Sequence, residues 1–151
     1  MRPICLAILV AAVALSIGAS AGAVSGKQRV VIQWKGASGF VLTPLTSGKL
    51  KGDSGTATFC CWTSRVVTRD GLKVEIGNPK MTLVGKHGTL VASNRMEFLD
   101  IRGGYSLFTG TWKVIRGTGD YAQLSGSGRI AGIVLPNGTT KWQREGFLGP
   151  N

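Results

Sequence analysis

The sequence has one histidine, His87, and three cysteines, Cys5, Cys60 and Cys61, in 151 residues. Acidic residues are also scarce: 7 Asp+Glu stand against 18 Lys+Arg. These shortages exclude several chemistries. One histidine and two adjacent cysteines do not make a zinc site, so no metal is expected. No Ser-His-Asp set is recognisable, and no glycine loop has the strand–loop–helix setting that phosphate cradles need. A normal intramolecular disulfide framework is excluded by count. No segment of convincing helical period is present, and nothing after the first residues is apolar enough to cross a membrane as a helix.

The chain opens on Arg2 and an apolar run from Ile4 to Ile17, ended by the small residues Ala19-Ser20-Ala21-Gly22-Ala23. This is the pattern of a secretory signal peptide over residues 1–23, with cleavage between about Gly22 and Ser25. The expected product is a soluble, secreted protein of the extracellular space or cell envelope, one domain over residues 24–151. Cys5 leaves with the leader. Without Arg2, 17 basic residues face 7 acidic ones, a charge of about +10. A positive sign suits an anionic surface polymer, but the lysines and arginines are spread almost evenly, which argues for a basic surface rather than a dedicated patch.

Strand signals fill the rest. Val30, Ile32 and Trp34 alternate, as do Leu72, Val74 and Ile76. Turn signals recur at Asp70-Gly71, Gly77-Asn78-Pro79, Lys86-His87-Gly88, Arg102-Gly103-Gly104 and Pro136-Asn137-Gly138. The clearest stretch is residues 108–130. Phe108, Gly110, Trp112 and Val114 share one face; after the turn Gly117-Thr118-Gly119-Asp120, Leu124, Gly126, Gly128 and Ile130 share the next. Glycines on an apolar face mark sharp coiling or close approach of a large ring. The fold class is therefore all-β, a single closed antiparallel barrel of about eight strands.

The run Gly117-Thr118-Gly119-Asp120-Tyr121-Ala122-Gln123-Leu124-Ser125-Gly126 resembles the Gly-Thr-Gly-x-aromatic-Ala-x-x-x-Gly signature of the allene oxide cyclase and dirigent barrel superfamily. The resemblance implies an eight-stranded calycin-like barrel with an apolar cavity, no metal or organic cofactor, and a homotrimer. It implies no catalytic carboxylate that can be placed in this chain; Gly117, Thr118, Gly119, Tyr121 and Gly126 read as turn and packing positions. Gly110-Thr111-Trp112 is also similar to the Gly-x-Trp of lipocalin-like and avidin-like barrels, but lies too late in the chain for kinship.

A small apolar or aromatic molecule is the expected ligand, in a cavity lined by Trp34, Phe98, Phe108 and Trp112. The alternative enzyme would be a cofactor-free cyclase or dirigent-like protein using Asp100 and Arg144. By parity Asp100 falls with Met96 and Phe98, and Arg144 with Trp142 and Leu148. A buried Asp100–Arg144 pair is costly, so it would serve as a structural lock or a ligand contact. A third reading is a binder of anionic polymers. His87 is expected to be solvated in its turn. Asn137-Gly138-Thr139 matches a glycosylation acceptor and equally a plain turn. Cys60 and Cys61 are expected as two thiols pointing to opposite faces of a strand rather than a disulfide between neighbours.

Overall fold

The computed structural model describes residues 26–151; the expected leader lies outside them. Ten strand segments and one 3₁₀ turn make up the described chain. They are β1 (Gln28–Lys35), β2 (Gly39–Pro44), β3 (Asp53–Cys60), β4 (Ser64–Arg69), β5 (Leu72–Gly77) and β6 (Lys80–Gly85). Then follow β7 (Thr89–Ile101), β8 (Tyr105–Gly117), the 3₁₀ turn Gly119–Tyr121, β9 (Leu124–Val134) and β10 (Thr140–Pro150). Every pairing is antiparallel, and the circuit β1-β2-β3-β6-β7-β8-β9-β10 closes back on β1. The result is the eight-stranded closed barrel that the alternating pattern predicts.

β4 and β5 are continuations of β3 and β6 beyond the rim. Cys60 pairs with Lys80 and Ser64 with Gly77, so Cys61, Trp62 and Thr63 face only Asn78 and Pro79. That one extra residue is a bulge. Past it the β4–β5 hairpin turns at Asp70-Gly71 and leans on the far half of β7.

Small barrels fill with side chains. Here Val30, Ile32, Leu42, Leu83, Leu90 and Leu148 are each at most 1% exposed. Trp112 is 2% exposed, and its indole N–H donates to the carbonyls of Arg129 (3.1 Å) and Glu145 (3.3 Å). Glycines make that possible, though not all in the expected way. A Cβ on Gly146 would strike the Trp112 ring, so it is Gly146 that leaves room for it. A Cβ on Gly126 or Gly128 would instead run into the backbone of β10. Those two glycines serve the close approach of neighbouring strands.

One end of the barrel is locked by a polar network. Asp53, 6% exposed, accepts from the Tyr121 hydroxyl at 2.7 Å and from the amides of Ser54, Lys86 and His87. Burial works against the Asp53 charge, yet the bonds from Tyr121, Lys86, Ser54 and His87 outweigh it and hold the carboxyl below its ordinary pKa. The same burial, with Asp53 opposite, pushes the Tyr121 phenol up. The Thr118 hydroxyl accepts from the Thr89 amide, and the Asp120 amide donates to the His87 carbonyl. The Gly117–Tyr121 motif is thus a turn that ties β8 to the β6–β7 corner, as its residue types suggest. His87 is half-buried in that corner, with Nδ1 3.6 Å from the Asp120 carboxylate.

Candidate functional site at the barrel mouth

The opposite end carries a belt of aromatic rings. Its origin is register. Phe98 pairs with Phe108, Phe108 with Gly132, Gly132 with Trp142, and Trp34 with Phe40. Residues paired across antiparallel strands share a face, so Phe98, Phe108, Gly132 and Trp142 form one inward-facing row across β7 to β10, with Trp34 against Trp142 at its end. Trp34 and Trp142 are 5.3 Å apart between ring centroids, and Phe98 and Phe108 are 5.2 Å apart. Two further rings join from the bulged edge. Phe59 stands edge-on to Trp142 at 6.4 Å, and Trp62 lies 5.3 Å from Phe98. Phe59 and Trp62 are 39% and 46% exposed, so this edge of the belt faces solvent. A shallow depression beside it is lined by Trp34, Gly36, Ala37, Thr139, Thr140 and Trp142.

One level below sits Arg144, paired with Ile32 on one side and Ile130 on the other. It is 0% exposed. Nη1 donates to the Asn94 Oδ1 at 2.6 Å; Nε and Nη2 are buried without a partner. Its guanidinium carbon lies 4.9 Å from the centroid of Trp142 and 6.0 Å from that of Phe59. The Trp142 indole N–H is buried and unpartnered as well. Burial lowers the Arg144 pKa well below the ordinary guanidinium range, to about 9, so the group remains a cation at neutral pH. Three buried nitrogen donors without a partner, on the neighbouring side chains Arg144 and Trp142, and a positive charge therefore lie beneath an aromatic rim. Such a set can receive a carboxylate or another anionic oxygen attached to a flat or apolar body.

The expected residues divide between the two levels. Trp34, Phe98 and Phe108 stand in the belt, the first two half-buried and Phe108 buried against Phe98, while Trp112 is buried core with its N–H already used. Arg144 points inward as its parity requires. Asp100 does not pair with it, which corrects the expectation of a buried Asp–Arg pair. Asp100 is exposed because β7 at that point has run past the rim, opposite Ser106 beside the Arg102-Gly103-Gly104 turn. Asn94 takes its place as partner. Glu75 was not anticipated: it pairs with Phe98, and its carboxylate accepts a long 3.4 Å hydrogen bond from the Trp62 indole. Its position follows from the bulge, which periodicity does not reveal.

A second feature lies on the outer wall. In register, Lys80 faces Ser93, Ser93 faces Lys113, and Lys113 faces Ser127. One step along, Arg95 faces Thr111, which faces Arg129. Lys80, Arg95, Lys113 and Arg129 thus line one groove, and none of them is in an ion pair among the described residues. Glu145 flanks Arg129 but binds Arg29 at 3.3 Å. The even spread of basic residues along the sequence does not carry over to the surface: strand pairing gathers four of them. The Asn137-Gly138-Thr139 segment forms an exposed turn, with the Thr139 amide donating to the Asn137 Oδ1 at 3.0 Å.

No family model matches this sequence, and no curated protein or solved structure matches the chain.

Proposed function

We propose that the protein is an exported binding barrel of the allene oxide cyclase/dirigent type that holds a small aromatic or apolar molecule bearing an anionic oxygen at its mouth. The observation that carries this reading is Arg144: a fully buried cation with two unused donor nitrogens and no carboxylate partner. An unpaired buried charge is destabilising by several kcal/mol unless something completes it. The belt of Trp34, Trp142, Phe59 and Phe98 supplies a stacking surface above it, where an aromatic ring gains area burial and ring contacts. Binding, rather than catalysis, is favoured because no acid or base stands against Arg144. The motif at Gly117–Gly126 supports the family assignment.

The test uses 4-methoxycinnamate and its methyl ester, which differ only in the anionic oxygen. In calorimetric titrations the acid should bind about tenfold or more tightly than the ester, and Arg144→Met should erase the difference. Equal affinity for acid and ester, or no binding of either, would overturn the reading.

A second reading rests on a different surface. The outer groove of Lys80, Arg95, Lys113 and Arg129 suits an extended anionic polysaccharide. Lys80 and Lys113 stand two strands apart, about 10 Å, with Ser93 between them. Trp112, the aromatic residue in the groove's lining, is 2% exposed and so offers no open ring face on which a nucleic-acid base could stack. Retention on immobilised heparin should fall more for Lys113→Glu/Arg129→Glu than for Lys35→Glu/Lys73→Glu, which changes the charge equally elsewhere. Equal losses would mean that net charge alone is responsible.

A further inference from the structure

Cys60 and Cys61 do not point to opposite faces. Adjacent residues of a regular strand would, but Cys60 is the last residue of β3 and Cys61 belongs to the bulge. Cys61 has φ 57°, in the left-handed region that non-glycine residues seldom occupy. That backbone swings the second side chain round to the first, and the two Sγ atoms lie 2.6 Å apart. Both cysteines are exposed, and each thiol has the other as its hydrogen-bond partner.

The bulge has a consequence on both sides of the pair. Phe59 and Trp62 are three positions apart, so in a regular strand they would face opposite ways. The extra residue brings both onto the belt: Phe59 reaches Trp142 and Trp62 reaches Phe98. Trp62 also lies against Gly77, where a Cβ would meet its ring. A left-handed non-glycine residue stores backbone strain that its surroundings must hold in place. A covalent tie between residues 60 and 61 would do that.

We propose that Cys60 and Cys61 form a disulfide with each other, and that this ring of adjacent residues fixes the bulge and keeps Phe59 and Trp62 on the mouth. The reaction needs an oxidant, and a small-molecule disulfide such as oxidised glutathione suffices. One cysteine thiolate attacks that disulfide, forming a mixed disulfide and expelling one glutathione thiolate. The neighbouring thiolate then attacks the protein sulfur of the mixed disulfide and expels the second. Two protein thiols become one disulfide, one glutathione disulfide becomes two thiols, and no net proton is released once both leaving thiolates are protonated. The second step is intramolecular between sulfurs already in contact, which favours it over capture by another chain. The inference concerns the bulge and does not depend on what the mouth binds.

The full chain carrying Cys5→Ser, so that Cys60 and Cys61 are its two thiols, is equilibrated in a glutathione redox buffer, quenched with iodoacetamide and weighed intact. The expected species is a monomer lighter by two hydrogen atoms than the dithiol form and unmodified by iodoacetamide; prior reduction restores two alkylation sites. Two alkylated thiols, a persistent glutathione adduct or a disulfide-linked dimer would overturn the proposal. The effect on the mouth is read from the tryptophan indole N–H resonances. On reduction the Trp62 signal should shift or broaden while that of Trp112 stays. A Trp62 signal that ignores reduction would overturn the second half of the proposal.

Discussion

Replacing Arg144 by methionine should stabilise the ligand-free barrel. Methionine keeps length and apolar bulk but removes the charge. Burial lowers the Arg144 pKa well below the ordinary guanidinium range, to about 9, which at about 1.4 kcal/mol per pH unit places on the order of 5 kcal/mol against the charged form. Against this stands the lost bond to Asn94, whose Oδ1 is left buried and unpaired at about 1–3 kcal/mol. The loss of cation–π contact with Trp142 removes about 1 kcal/mol more. The net gain is about 1–3 kcal/mol at pH 7.5, or several degrees in Tm for a domain of this size. The sign with pH follows from the lowered pKa. Below about pH 9 Arg144 is protonated in both folded and unfolded chains, and the full penalty is present. Above about pH 9 the folded chain sheds the proton first, the unfolded state binds more protons, and the parent gains stability relative to the variant. The difference in Tm between variant and parent should therefore be flat from pH 7 to 8.5 and shrink by pH 10.5. Differential scanning calorimetry on both proteins gives it, and titrations common to both proteins cancel in the difference. A variant that is less stable than the parent at every pH would refute the reasoning, since Arg144 would then be satisfied within the barrel.

Trp112→Ala should cost roughly 3–5 kcal/mol and Lys113→Ala about 0.5 kcal/mol or less, read from denaturant midpoints; equal losses would contradict the alternation along β8. Gly126→Val should cost about 1–3 kcal/mol or more because its Cβ meets the Phe147 carbonyl and the Leu148 side chain, whereas Ser127→Val, outward-facing, should be neutral or mildly stabilising despite adding the same residue type. Tyr121→Phe should cost about 1.5–3 kcal/mol by removing a hydrogen bond to the buried Asp53 carboxylate. Because Asp53 has a lowered folded pKa, its contribution is present above the usual carboxylate pKa and is lost as pH falls through the lower folded value; Asp53→Asn should therefore flatten the acid limb of a pH–stability curve.

The strands were legible in the sequence because a half-buried strand repeats at period two, and the turns because glycine, asparagine and proline mark them. Phe108, Trp112 and Ile130 fall in the core as their parity requires. The bulge was not legible: one extra residue at Cys61–Thr63 does not disturb a hydrophobic pattern enough to be seen, yet it decides where Phe59, Trp62 and both thiols point. Parity alone placed Arg144 correctly and Asp100 wrongly, because parity says which face a residue takes but not whether the barrel still surrounds it. The Asp53–Tyr121 bond joins residues 68 apart, and the basic groove joins four strands. Both depend on closure and register, which a linear reading does not supply.

The central claim is that the mouth, and Arg144 beneath it, receives an aromatic anion. The most direct measurement follows the four tryptophan indole N–H signals while 4-methoxycinnamate is added to the ¹⁵N-labelled protein. The Trp142 signal, from a buried N–H without a partner, should move downfield as it gains an acceptor. Trp34 should respond to ring stacking and Trp112 should not move, and in Arg144→Met none of these shifts should occur. A titration in which Trp142 stays fixed, or in which Arg144→Met responds as the parent does, would contradict the account.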